Sequence, residues 1–181
     1  MSIAFKEWAL VCEALGAGTQ SILLRKGGIA EGREGFRFQH ADFFLFPTLF
    51  HEQLEKTRLP AGTPLPSPPD GSIRIAYRAE AEWTLLIRDT GTLEKLEPFH
   101  ILKREVVEER FRYDDTPGVH VALLRVYKLD APWEFAAAPA YGGCRSWVKI
   151  PEPPAGLSST PVLDDAAHAA LAEKIRRLAS A

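Results

Sequence analysis

The sequence predicts an α+β domain: a curved mixed or antiparallel sheet, or a small open β-barrel, with helices packed on it. Three observations carry this. In SIRIAYRAEAEWTLLIRD, Ile73, Ile75, Tyr77, Ala79, Ala81, Trp83, Leu85 and Ile87 alternate with mostly polar residues, the period of a long half-buried strand or of two strands joined by a bend near the alanines. Apolar residues recur at helical spacing near both ends, as Phe5, Trp8, Cys12 and Leu15 and as Ala167, Leu171, Ile175 and Leu178. The 181 residues are 46% hydrophobic and 25% charged, enough for one sizeable core and typical of a soluble globular chain.

Taken in order, FKEWALVCEAL (residues 5–15) is expected to be a helix ended by Gly16 and Gly18. SILLRK (21–26) reads as a strand and Gly27-Gly28 as the turn after it. Residues 36–39 and 43–46 read as short strands, and Pro47-Thr48 as the start of a short helix to about Lys56. Pro60, Pro64, Pro66, Pro68 and Pro69 make 59–71 an extended loop within the domain. TLEKLEPFHILK is helical or irregular, whereas residues 104–113 and 119–129 are expected to pair as a hairpin around DDTPG. SWVKI (146–150) is a further strand. The organisation is then a single α+β domain over 1–150, a proline-rich linker over 151–163 and a C-terminal helix over 164–181, loosely attached, with Asp164 and Asp165 at the positive end of its dipole.

Bulk properties exclude several classes. The net charge of −2 gives no global field for a polyanion, so any such binding depends on a local basic patch. Cys12 and Cys144 form no metal or disulfide framework, and free thiols in a cytoplasmic protein are expected. No signal peptide is expected, and no apolar run approaches the roughly 18 residues of a membrane helix, so no membrane partner is expected. The five histidines show no HxxH or HxxxH spacing, so neither a metal nor a cofactor is expected. Walker-type, GxGxxG and GxSxG signatures are absent.

A binding surface remains. Arg25 and Lys26 beside Gly27-Gly28 suit an anion, because two glycines let the backbone aim its N–H groups into one concavity. Arg145 supplies a further cation, and Trp8, Phe43, Phe46 and Trp147 supply rings for stacking. Thr48 and His51 would face the same way if a helix starts at Pro47, placing FPTLFHEQ opposite RKGG across one cleft. The expected partner is nucleic acid or a nucleotide, bound without catalysis. Two other readings stay open. One is a small enzyme on nucleotides or nucleic acid, with His51 and Glu52 or Glu7 as acid–base groups. The other is a protein-interaction subunit docking through the proline loops and last helix.

The blocks KEWALVCEAL, ILLRKGGI, FFLFPTLFHEQ, RFRYDDTPGVHVALLRVYKL and GCRSWVKI occur in an order that resembles the bacterial family known only as domain of unknown function 1802, over about residues 4–150. Some members are fused to an Mrr-type restriction endonuclease domain, which implies a role in restriction or defence and, for this chain, a separate restriction endonuclease subunit as partner. Gly18 to Arg25, GTQSILLR, is similar to the G-x-K-x-x-E-x-R signature of ASCH domains, PUA-like barrels that bind RNA or modified bases. Gly18 and Arg25 match. Gln20 replaces the lysine and Leu23 the glutamate, so the resemblance implies a PUA-like fold and a ligand face but no hydrolytic reaction.

Overall fold

The computed structural model describes residues 1–26, 38–68, 70–113 and 115–180. Its strands are β1 (Ser2–Trp8), β2 (Ile22–Arg25), β3 (Asp42–Thr48), β4 (Ser72–Ile87), β5 (Val119–Ala136), β6 (Trp147–Ile150) and β7 (Ser159–Pro161). The helices are α1 (Ala9–Gly16), α2 (Thr90–Leu96), α3 (Arg104–Phe111) and α4 (Asp165–Ala179). One mixed, unclosed sheet runs in the order β2-β5-β4-β3-β1-β6, with β7 also on β5. Among the described residues, β1 and β3 are the one parallel pair; the other strand pairings are antiparallel. The expected α+β class with a mixed sheet and helices packed on it is thus the observed one, the sheet being open.

Two local expectations are corrected. Residues 5–8 belong to β1, and the helix begins only at Ala9. The strand lies between β3 and β6, with Ala4, Phe5, Lys6 and Glu7 all buried. A strand covered on both faces loses its alternation, and a helical spacing then appears by coincidence.

The hairpin around DDTPG is also replaced. Residues 104–111 form α3, which buries Val106, Val107 and Phe111 and carries the exposed i,i+4 pairs Arg104–Glu108 and Arg112–Glu108. The antiparallel partner of β5 is β4, in register from Ser72↔Ala136 to Ile87↔Val119. Helices α2 and α3 occupy the connection between these two long strands.

Register shifts in the β4–β5 ladder occur between Ile75 and Tyr77 and between Ala81 and Trp83. The first moves β4 from one apolar cluster to another. Ile75 packs with Ala4, Phe46, Leu129, Trp133, Val148 and Ile150, whereas Tyr77 packs in the main core with Phe5, Leu15, Phe43 and Leu45. Across that shift β4 advances two residues while β5 advances five, from Trp133 to Lys128, so the irregularity lies in β5.

The last helix is not loosely attached, contrary to expectation. Ala172 and Ile175 are buried in the main core, and Leu171 and Leu178 pack against it. Asp164 caps its first turn by accepting from the Ala167 N–H at 2.7 Å. Arg125 pairs with Asp165, and Glu82 accepts from His168 at 2.9 Å and from Arg176 at 3.3 Å. Within 151–163, expected as a linker, β7 pairs with residues 127–129 of β5. Among the described residues, no helix is long and apolar enough to cross a membrane.

Candidate functional site

A cleft of about 260 Å³ opens where the ends of β1 and β2 meet α3 and the residues just before β6. Strands β2 and β6 end the sheet order, so this is the unclosed side of the sheet. Arg25 spans it. Its Nε donates to Ser146 Oγ at 3.3 Å, its Nη2 donates to the Lys6 carbonyl at 3.2 Å, and its Nη1 lies 3.6 Å from Glu7 Oε2. Glu7 is 1% exposed, and its other oxygen accepts from the Trp8 N–H at 2.8 Å.

Three more cations line the same cleft. Lys26 donates to the Thr116 carbonyl. Arg110 donates to the Leu24 carbonyl at 2.6 Å and lies 4.9 Å from the centre of the Trp8 ring. Burial pulls its guanidinium down to about 10; Glu7 opposes that shift and Arg25 adds to it, so Arg110 is still a cation at neutral pH. Lys56 is the fourth, and Glu109 is the acidic residue on the lining. The aromatic lining is Trp8, half-buried against Phe50 at 5.0 Å, and Tyr113, which is 53% exposed. Ser146 and the exposed free thiol of Cys144 complete the wall.

Of the residues singled out in the sequence, the cleft gathers Trp8, Arg25 and Lys26. Gly27 and Gly28 lie outside the described residues. Thr48 ends β3, donates to the Glu7 carbonyl at 3.0 Å, and lines a different cavity. His51 is exposed on a short 3-10 turn, His51–Gln53, so Thr48 and His51 share no helix. Arg145 is exposed but does not line the cleft. Trp147 is packed edge-on against Phe5 at 4.9 Å and Phe43 at 5.2 Å, and so belongs to the core assembly. Phe43 and Phe46 are buried as well. Lys26 and the FPTLFHEQ segment therefore do not face each other across one cleft.

Arg110, Lys56, Tyr113 and Ser146 were missed. A helical reading of residues 104–113 would have found two of them, because Val106, Arg110 and Tyr113 follow i, i+4, i+7 spacing and all line the cleft. Among the described residues, no group of three or more His, Cys, Asp or Glu could hold a metal ion.

The molecule is thus an α+β domain with a mixed, unclosed sheet and a cation-lined cleft at its open side. A variant of the ASCH protein of Zymomonas mobilis superposes with a TM-score of 0.52 at 13% identity, over 83% of this chain and 90% of that one. The parent ASCH structure from the same organism gives 0.46 at 16% identity, over 94% and 93% of the two chains. The likeness is one of fold. The chain belongs to the family described as Domain of unknown function (DUF1802), whose model matches residues 4–174 and so extends beyond residue 150 into α4. Among curated proteins, none matches the chain in sequence.

Proposed function

We propose that this domain binds nucleic acid or a nucleotide through the cleft of Arg25, Lys26, Lys56 and Arg110. The observation that carries the reading is the convergence of four cations with Trp8 and Tyr113 in one concavity, on a chain whose net charge is −2. Phosphate contacts position a nucleic acid, and aromatic faces accept its bases regardless of sequence. Tyr113, exposed at the rim, is the ring available to stack on a base, while Trp8 sits deeper under Arg110.

The ASCH signature positions support binding without hydrolysis. Gln20 is buried, donating to the Ile22 carbonyl and accepting from the Ile101 N–H, and Leu23 is buried in the core. Gln20 lines a separate small pocket, so neither position faces the cleft. His51 and Glu52 do not line the cleft, and Glu7 is engaged by Arg25 and the Trp8 N–H, which favours binding over acid–base chemistry there. The fusion of some family members to an Mrr-type restriction endonuclease domain favours a setting in restriction or defence, with the nuclease here as a separate subunit.

The test is fluorescence anisotropy with labelled single-stranded DNA, duplex DNA, RNA and mononucleotides at two salt concentrations. Affinity should fall as salt rises. Lys26→Ala/Lys56→Ala should weaken binding without unfolding the domain, and Tyr113→Ala should weaken it by about 1–3 kcal/mol for a stacked base. Absence of binding to all four probes, or affinity unchanged in the double variant, would overturn the reading.

A further inference from the structure

A second and larger cavity, about 610 Å³, lies between the end of β3, the start of β4, α1 and the proline-rich loop, and shares no lining residue with the cationic cleft. Its volume falls in the usual range for small-molecule sites, which are mostly apolar with a few convergent polar groups. Phe46, Tyr77 and Tyr141 give it aromatic walls, with the Phe46 and Tyr141 rings 5.7 Å apart and edge-on. Pro66 and Pro68 form a wall of loop backbone with restricted freedom.

One buried cation lines this cavity. Lys6 is 8% exposed, and its ammonium donates to the carbonyls of Tyr141 at 2.8 Å and Gly143 at 2.7 Å. An ammonium has three donors, so one remains. Among the described residues, Lys6 has no carboxylate partner. Glu13, the acid lining the same cavity, accepts instead from the Tyr77 hydroxyl at 2.9 Å. A buried charge without a counter-ion is costly, and a ligand that brings one removes that cost. Burial accordingly lowers the pKa of Lys6, with Cys144 opposing and Arg25 reinforcing the shift.

We propose that this cavity binds a small aromatic carboxylate, its acid group on Lys6 Nζ and its ring against the wall made by the Phe46–Tyr141 pair. Arg74 and Lys128 also line the cavity, but both are exposed and Arg74 lies 3.6 Å from Glu134, so the buried donor is the single one left on Lys6, which suits a monoanion. The walls suit a flat ring, because aromatic pairs favour edge-to-face and offset arrangements.

Calorimetric titration with naphthoate and its neutral counterpart naphthalenemethanol tests the proposal. The acid should bind wild type roughly tenfold more tightly than the alcohol, and Lys6→Met should bring the two level. Tyr141→Ala, which leaves the Lys6–carbonyl contacts to the backbone intact, should weaken both probes and decides the case if Lys6→Met fails to fold. Equal affinity for acid and alcohol in wild type, no binding of either, or unchanged affinity in Tyr141→Ala would overturn it. Loss of naphthoate binding in Lys26→Ala/Lys56→Ala would place the acid in the cationic cleft and also overturn it. Nucleic-acid binding is read separately, so either site can fail without the other.

Discussion

Arg25 at the end of β2 donates to Ser146, 121 positions further along the chain, at 3.3 Å across the unclosed side of the sheet. The same guanidinium reaches the Lys6 carbonyl and the Glu7 carboxylate of β1. One side chain therefore ties both ends of the strand order together while lining the cleft.

Arg25→Ala should consequently cost stability as well as affinity. It leaves Glu7, which is 1% exposed, as a buried carboxylate without its cation, a loss of about 3–5 kcal/mol for a fully buried pair and less here because Arg25 is 19% exposed. Adding Glu7→Gln should restore much of the stability and none of the anion affinity. Urea unfolding and anisotropy on the single and double variants separate the two roles. An Arg25→Ala protein as stable as wild type would remove the bridging role.

Acid should destabilise the fold through His100. Its Nδ1 accepts from the Leu102 N–H at 3.2 Å, and burial, reinforced by Arg58 and Arg110, lowers its pKa to about 3 from 6.5. The unfolded chain takes up this proton below about pH 6.5 and the native state does not, so stability is full above that pH and declines toward pH 3. The contribution is at most about 1.4 kcal/mol per pH unit. His100→Gln should show a shallower decline between pH 6.5 and 4 in urea midpoints. Parallel curves would show that His100 is not the group responsible.

Gly16 should tolerate no side chain. A Cβ there would stand 2.1 Å from Cε1 and Cζ of Tyr77, a buried ring held by its hydroxyl's bond to Glu13. Gly16→Ala should destabilise by about 1–3 kcal/mol or more, as overpacking does, even though alanine favours helix. Tyr77→Leu in the same chain should recover part of the loss. A thermal midpoint for Gly16→Ala at or above wild type would contradict this packing.

The last helix should be required for the fold. Ile175→Ala should cost about 2–5 kcal/mol, because the side chain is fully buried among main-core residues. Removing residues 155–181 should give a chain that unfolds or aggregates, since it strips β7 from β5 and uncovers the core under α4. A soluble truncated domain with a cooperative transition would show the helix to be an appendage.

The parts of the fold legible in the sequence were those with one buried face. β4 shows its alternation because most of its length is covered on one side, and α4 shows its stripe and its Asp164 cap for the same reason. The stripe is rotated slightly, with His168, Ala172 and Ile175 buried and Ala167 exposed. β1 was hidden by burial on both faces. α3 was hidden because eight residues of which five are charged give little periodicity to read. That error concealed Arg110 and Tyr113. Trp8, Arg25 and Lys26 were found because a basic pair ending a strand next to glycines is a local signal. Thr48 and His51 went elsewhere because their meeting depended on β3 ending in a helix, and it ends in a break followed by a single 3-10 turn; Arg145 is exposed off the cleft, and Trp147 packs on Phe5 and Phe43.

The cleft also sets an order of events during synthesis. Arg25 and Lys26 leave the ribosome early, yet the ladder partner of β2 is β5, and Arg110 and Ser146 come later still than the loops that precede them. Long-range pairing must wait for the distal strand. A nascent chain that has exposed Arg25 and Lys26 therefore has no assembled cleft around them. The walls arrive only when Arg110, β5 and Ser146 have followed, so a chain cut short of Ser146 lacks the partner that Arg25 reaches across the open side of the sheet.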